Sequence, residues 1–147
     1  QNAVQAMLNK YPKGELDAIF ATWDAFAIGA ARAIKEAGRE EVKIYGIDVS
    51  NADLQMIQEK GSPWQYTAAV DPALIGKIDM RILAKKLAGE DTPQEYALNA
   101  SLISQKELSA SQNPINMESL SKVISGWGES ADFEEDWMKK LKEHYQK

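Results

Sequence analysis

Few side chains in this 147-residue chain belong to the types that do chemistry, so their placement carries the reading. Cysteine is absent and His144 is the single histidine. Disulfides, thiolate catalysis and Cys-ligated zinc are therefore excluded, and a histidine metal cluster lacks a second member. What remains are carboxylates and indoles at the ends of apolar runs. Asp48 closes VKIYGID, Trp23 and Asp24 follow DAIFA, and Asp71 follows SPWQYTAAV just ahead of Pro72. A carboxylate at such an end accepts strong, directional hydrogen bonds. An indole offers a large flat area at fixed geometry. Each residue also has a plainer reading. Asp24 and Asp71 stand where helix caps belong, Asp48 precedes a helix start, and Trp23 could pack against a neighbouring body. His144 suits the C-terminal end of a helix dipole.

The elements that position these residues follow from pattern. Residues 16–49 read as strand, helix, strand: two buried apolar runs flank an alanine-rich segment that Gly38 closes where a helix C′ glycine belongs. Such a unit packs as a parallel pair with a right-handed crossover. Ligands in sheets of this kind sit beyond the carboxyl ends of the strands, which selects Trp23, Asp24 and Asp48. Ser50 with Asp53 three residues on forms an acidic capping box. The next helix stops at Gly61, and a third strand lies between Pro63 and Pro72. Parallel strands are thus expected near 17–22, 42–47 and 65–70, with helices near 25–37, 51–60 and 73–88. YALNASLIS reads as a last strand. SASQNP reads as a linker, MESLSKVISG as a short helix capped by Asn116 and stopped by Gly126, and SADFEEDWMKKLKEHYQK as a long helix. Phe133, Trp137 and Leu141 would form one apolar stripe on it.

Composition narrows the function. A net charge of −5, from 17 basic and 22 acidic residues, argues against nucleic acid, which favours a basic face. No apolar run is long enough to span a bilayer, and no Gly-rich phosphate loop is present. The chain opens with Gln1, which reads as a mature or truncated start.

Three stretches carry a resemblance. TWDAFAIGAARAIKEAG contains the spacing A-x-G-A-x-x-A-x-x-x-A-G, VKIYGID that of V-x-x-x-G-x-D, and QYTAAVDPALIGKIDMRILAKKLAGE reads as strand, hinge and helix. In this order they resemble the C-terminal half of a type I periplasmic solute-binding protein of the ribose/galactose-binding kind, over about residues 1–108. The resemblance implies an α/β fold, a parallel sheet with flanking helices, as the C-terminal lobe of that protein. A helical extension at 109–147 would follow. It places a hinge near 71–72 and implies that 73–94 pack on an N-terminal lobe outside the chain. It makes Asp48 the sugar-binding aspartate. At two positions the chain departs from the family: Trp23 stands where the family often has Asn, and Val70 where ribose-binding members often have Gln. Asp71 is then a candidate replacement acceptor, and Asp24 an indirect one. The implied function is reversible sugar capture for an ABC importer and its membrane permease, with no catalysis and no cofactor. The implied location is periplasmic or extracytoplasmic, with lipid anchoring of a longer parent left open. The alternative is the effector-binding part of a LacI-like repressor. A homodimer formed by segment exchange is the expected way to cover the 73–88 helix in the isolated chain.

Overall fold

The computed structural model describes residues 1–146. In chain order its elements are α1 (Asn2–Lys10), β1 (Ala18–Ala21), α2 (Asp24–Glu36), β2 (Lys43–Ile47), α3 (Asn51–Gln58), β3 (Trp64–Ala69), α4 (Pro72–Leu87), β4 (Ser101–Ser104), α5 (Gln105–Ala110) and α6 (Asp136–Tyr145). A single 3-10 turn spans Leu120–Lys122. The chain forms two compact units: Gln1–Ala69 with Ala100–Trp127, and Val70–Asn99 with the residues from Gly128 onward. The segment after residue 108 is therefore shared between them.

The first unit is built on one sheet of order β1-β2-β3-β4. β1 pairs with β2 and β2 with β3 in parallel, as the two strand–helix–strand patterns require. β4 is shorter than YALNASLIS suggests and runs antiparallel to β3. The reason lies in the path of the chain. Residues 70–99 belong to the second unit, so the connection from β3 to β4 leaves the first unit and is not a strand–helix–strand crossover within it.

One sheet face forms the core. Ala21, Ile44, Thr67, Ala69 and Ile103 are buried, together with Ala27, Ala30, Ala31, Ala33 and Ile34 of α2. The alanines let the helix axis approach the sheet closely. Val42, Leu54 and Ile57 extend the same core, which Ile115, Leu120, Ile124 and Trp127 complete from the later segment. Trp64 is fully buried and donates its indole N–H to the Tyr66 carbonyl at 3.0 Å. Gly46 is what makes room for it: a Cβ there would stand 2.9 Å from the Trp64 ring. The opposite sheet face is open. Register aligns Phe20, Tyr45 and Tyr66 in one row, all exposed, and Tyr45 and Tyr66 stack at 5.9 Å with rings 6° apart.

Residues 108–117 are held to α3 by side-chain bonds. Gln58 donates to the carbonyls of Leu108 and Asn113 and accepts the Ile115 N–H, and Asn51 accepts the Met117 N–H. MESLSKVISG shortens to the 3-10 turn. Its N-cap is Ser119, whose side chain makes no cap bond, and not the expected Asn116, which accepts the Ser119 N–H at 2.9 Å in the turn just ahead. The serine- and β-branched-rich run after it is a weak helix former, and burial of Leu120, Ile124 and Trp127 decides its conformation.

In the second unit Asp71 caps α4 by accepting the Ala73 N–H at 3.0 Å, and Pro72 occupies the first helical turn. Leu74 and Ile78 are its buried residues. Arg81 donates to the carbonyls of Ser130 and Asp132 and pairs with Glu134. Lys85 pairs with Glu90 and Glu135, which hold its ammonium above the ordinary lysine range. The expected last helix begins only at Asp136. Ahead of it the Asp132 N–H bonds the Ser130 hydroxyl, a local side-chain bond that competes with helix, and Phe133 takes a left-handed φ of 57°. Phe133 therefore leaves the stripe and meets Tyr96 edge-on at 4.7 Å, while Trp137 donates its indole N–H to Glu90 at 2.8 Å.

Candidate ligand-binding edge of the sheet

Two of the sequence-selected residues stand at one level of the sheet. β1 and β2 run parallel with Ala21 opposite Gly46. Trp23 lies two residues past the first and Asp48 two past the second, so both emerge at the carboxyl edge, in the first unit. Both are exposed, Trp23 by 50%. Trp23 holds the N-cap position of α2 in extended backbone, and Asp24 is the first residue of that helix. The capping role expected of Asp24 therefore falls one residue earlier, on a residue whose side chain makes no cap bond. Trp23 pairs edge-to-face with exposed Phe26 at 5.2 Å. Phe26 was not among the sequence candidates, though it follows Trp23 at the i+3 spacing that places helix residues side by side.

Asp48 is held from below. Its φ is 68°, a left-handed conformation that costs most L-residues energy and that Asp tolerates better than most. Two bonds from β3 fix it: the Asp48 N–H donates to the Ala68 carbonyl at 2.9 Å, and the buried Thr67 hydroxyl donates to the Asp48 carbonyl at 2.7 Å. The backbone groups are satisfied internally and the carboxylate stays in solvent. Thr67 is thus a positioning residue. Its signal in the sequence was a polar side chain inside an otherwise apolar strand.

Behind this edge lies a buried carboxyl. Asp53 is fully buried. Its Oδ2 accepts the Ser50 N–H at 2.5 Å, and the Asp53 N–H reaches the Ser50 hydroxyl at 3.4 Å, which is the expected capping box. Burial, with the Asp24 carboxyl beside it, pushes Asp53 up to about 6. Asp24 accepts the Ala25 N–H at 2.6 Å.

Val70 and Asp71 belong to the second unit. Val70 lines a groove of about 450 Å³ there, with Ile75, Ile78, Ile82 and Tyr96, and Asp71 is engaged as the α4 cap. His144 is exposed in the last turn of α6. Among the described residues no group of three or more acidic or histidine side chains is placed to hold a metal ion, and no helix is long and apolar enough to cross a membrane.

The sheet is parallel over β1–β3 with β4 antiparallel, and in open α/β sheets ligands bind beyond the carboxyl ends of the strands, the edge where Trp23 and Asp48 stand. The chain belongs to the periplasmic binding protein domain family, whose model matches residues 1–91. It is 50% identical to the crystal structure of a sugar ABC transporter from Yersinia enterocolitica, at a TM-score of 0.89, over 97% of this chain and 43% of that one. It is 33% identical to a 5-methylthioribose transporter solute binding protein from Thermotoga lettingae, solved with 5-methylthioribose, at a TM-score of 0.86 over 97% and 45% of the two chains. A ribose import binding protein of Haemophilus influenzae is 33% identical over 63% of this chain and 31% of its own length. The chain thus spans about a third of the length of the curated relatives it matches.

Proposed function

We propose that this chain supplies one wall of the binding site of a solute-binding protein that captures a sugar noncovalently and delivers it to the permease of an ABC importer. The observation that carries the reading is the carboxyl edge, where Asp48 is fixed by β3 with its carboxylate free and the Trp23–Phe26 pair stands at the same level. A carboxylate of this kind accepts two neighbouring sugar hydroxyls, and an aromatic surface covers the apolar side of the ring. The relative solved with 5-methylthioribose supports a pentose with an apolar substituent as the ligand class, which suits a Trp where an amide would serve a bare sugar. Asp24 and Asp71 act indirectly, through the turns they hold, and Val70 offers apolar surface only. No bond is made or broken in this function. The site works outside the cytoplasm.

The chain passes between its two units at 69/70, 99/100 and 127/128. These crossings support a hinge near 71–72. Exposed Ile75, Met80, Leu83 and Leu87 on α4 support a role for that helix in packing on further protein. In the isolated chain a segment-exchanged second copy would serve. The repressor reading has no comparable support, since the named relatives are transport proteins.

The test is a ¹H–¹⁵N NMR titration of the chain with 5-methylthioribose and with ribose. One wall should bind only weakly, in the millimolar range, with the Trp23 indole and Asp48 amide among the resonances that move most. Perturbation confined to other residues would remove this edge from the site.

A further inference from the structure

We propose that residues 128–135 form a strap bound along α4. On the second unit's side, the strap fastens the chain's last crossing, at 127/128, to its first, at 69/70, so that both move with α4 as one piece. It begins with a close contact. Gly128 takes a left-handed φ of 74°, and a Cβ there would stand 2.5 Å from Asp71 Oδ2. Any other residue would be strained and driven into that carboxylate. The other oxygen, Asp71 Oδ1, accepts the Ala73 N–H at the start of α4. Asp71 follows the end of β3 by two residues. One of its oxygens thus holds the helix start and the other abuts the returning chain. Lys77 of α4 also reaches Gly128, donating to its carbonyl at 3.4 Å.

The contacts continue in order along the helix. Lys77, Arg81 and Lys85 are spaced four apart, which sets them on one face of α4. Lys77 meets the Gly128 carbonyl, Arg81 the Ser130 and Asp132 carbonyls and the Glu134 carboxylate, and Lys85 the Glu135 carboxylate. Helix and strap therefore run alongside each other in the same direction. The Arg81 and Lys85 side chains are only 14% and 13% exposed, so solvent screens these pairs less than a pair on open surface. Tyr96, from the loop after α4, donates to Asp132 at 2.6 Å and meets Phe133 edge-on. An acidic run is ordinarily a solvated face. This one gives backbone carbonyls as well as carboxylates to a single helix. The strap lies beyond residues 1–91, which the family model matches.

Only the mechanical consequence rests on the hinge reading near 71–72; the strap itself is read without ligand. Hydrogen exchange is followed in the chain at the amides of Ala73, Asp132 and Glu134, which bond Asp71, Ser130 and Ala131. Arg81→Met keeps the aliphatic stem and removes the donors. It should speed exchange several-fold at Asp132 and Glu134, and also at Ala73, about two turns down the helix. An unmoved Ala73 would make the strap a local contact and overturn the proposal. Gly128→Ala should lower the denaturant midpoint in the parent. In an Asp71→Ala background it should lower the midpoint by less, because the carboxylate it would strike is gone. Equal losses in the two backgrounds would overturn the clamp. Where Gly128→Ala folds poorly, Asp71→Ala alone serves: its Asp132 and Glu134 amides should exchange faster, and unchanged rates would overturn the proposal. In a full-length protein carrying this chain, sugar should change exchange at Ala73 and Asp132 together. A coupled strap that does not respond to sugar would leave the strap standing and refute the hinge reading.

Discussion

Asp48 shows how a single residue serves two demands. Its left-handed backbone places the carboxylate at the sheet edge, and the bonds from Ala68 and Thr67 hold it there. The conformation costs an ordinary L-residue about 1–2 kcal/mol. Asp48→Gly should therefore retain or slightly raise stability, while Asp48→Ala should lose about 1 kcal/mol. Denaturant melts of the two variants separate backbone strain from the contribution of the carboxylate, and equal losses in both would place the strain elsewhere. The place of this residue at the sheet edge was legible in the sequence, because it directly follows a buried strand. The burial of Asp53 was not. Asp53 read as a capping residue, which it is, and no local pattern tells that the capping carboxyl is fully buried.

At the scale of elements, the parallel strands and their helices were legible because each carries its own periodic signal and its own stop. Gly38 and Gly61 close where φ is positive, at 62° and 78°. What escaped was decided by tertiary packing. Residues 117–126 hold helical spacing, yet their buried side chains select a single 3-10 turn. β4 is short and antiparallel because its approach comes from another unit. Gly46 is the most exacting contact in the sheet, since Trp64 fills the place of its side chain. Gly46→Ala should destabilise the first unit by about 1–3 kcal/mol through overpacking, read from a shift in the denaturant midpoint. A neutral effect would mean that the indole has room to move. Paired substitution of Trp64 with a smaller residue should recover part of the loss.

At the scale of the molecule, apolar surface lies open in both units: the Phe20–Tyr45–Tyr66 row of the sheet and the Ile75, Met80, Leu83 and Leu87 positions of α4. Buried apolar area is worth roughly 25 cal/mol per Å², and parallel sheets are ordinarily covered on both faces. Light scattering of the isolated chain should accordingly give about twice the monomer mass, and a monodisperse monomer would defeat the segment-exchange proposal. The chain matches about a third to under half of the length of these relatives. The central claim concerns the edge of the sheet, and calorimetry on a full-length protein carrying this chain addresses it directly. Titration with 5-methylthioribose should show Asp48→Ala binding more weakly than the parent by about 1.5–3 kcal/mol, the loss of a hydrogen bond to a charged group. Unchanged affinity in that variant would contradict the assignment of Asp48 to the ligand.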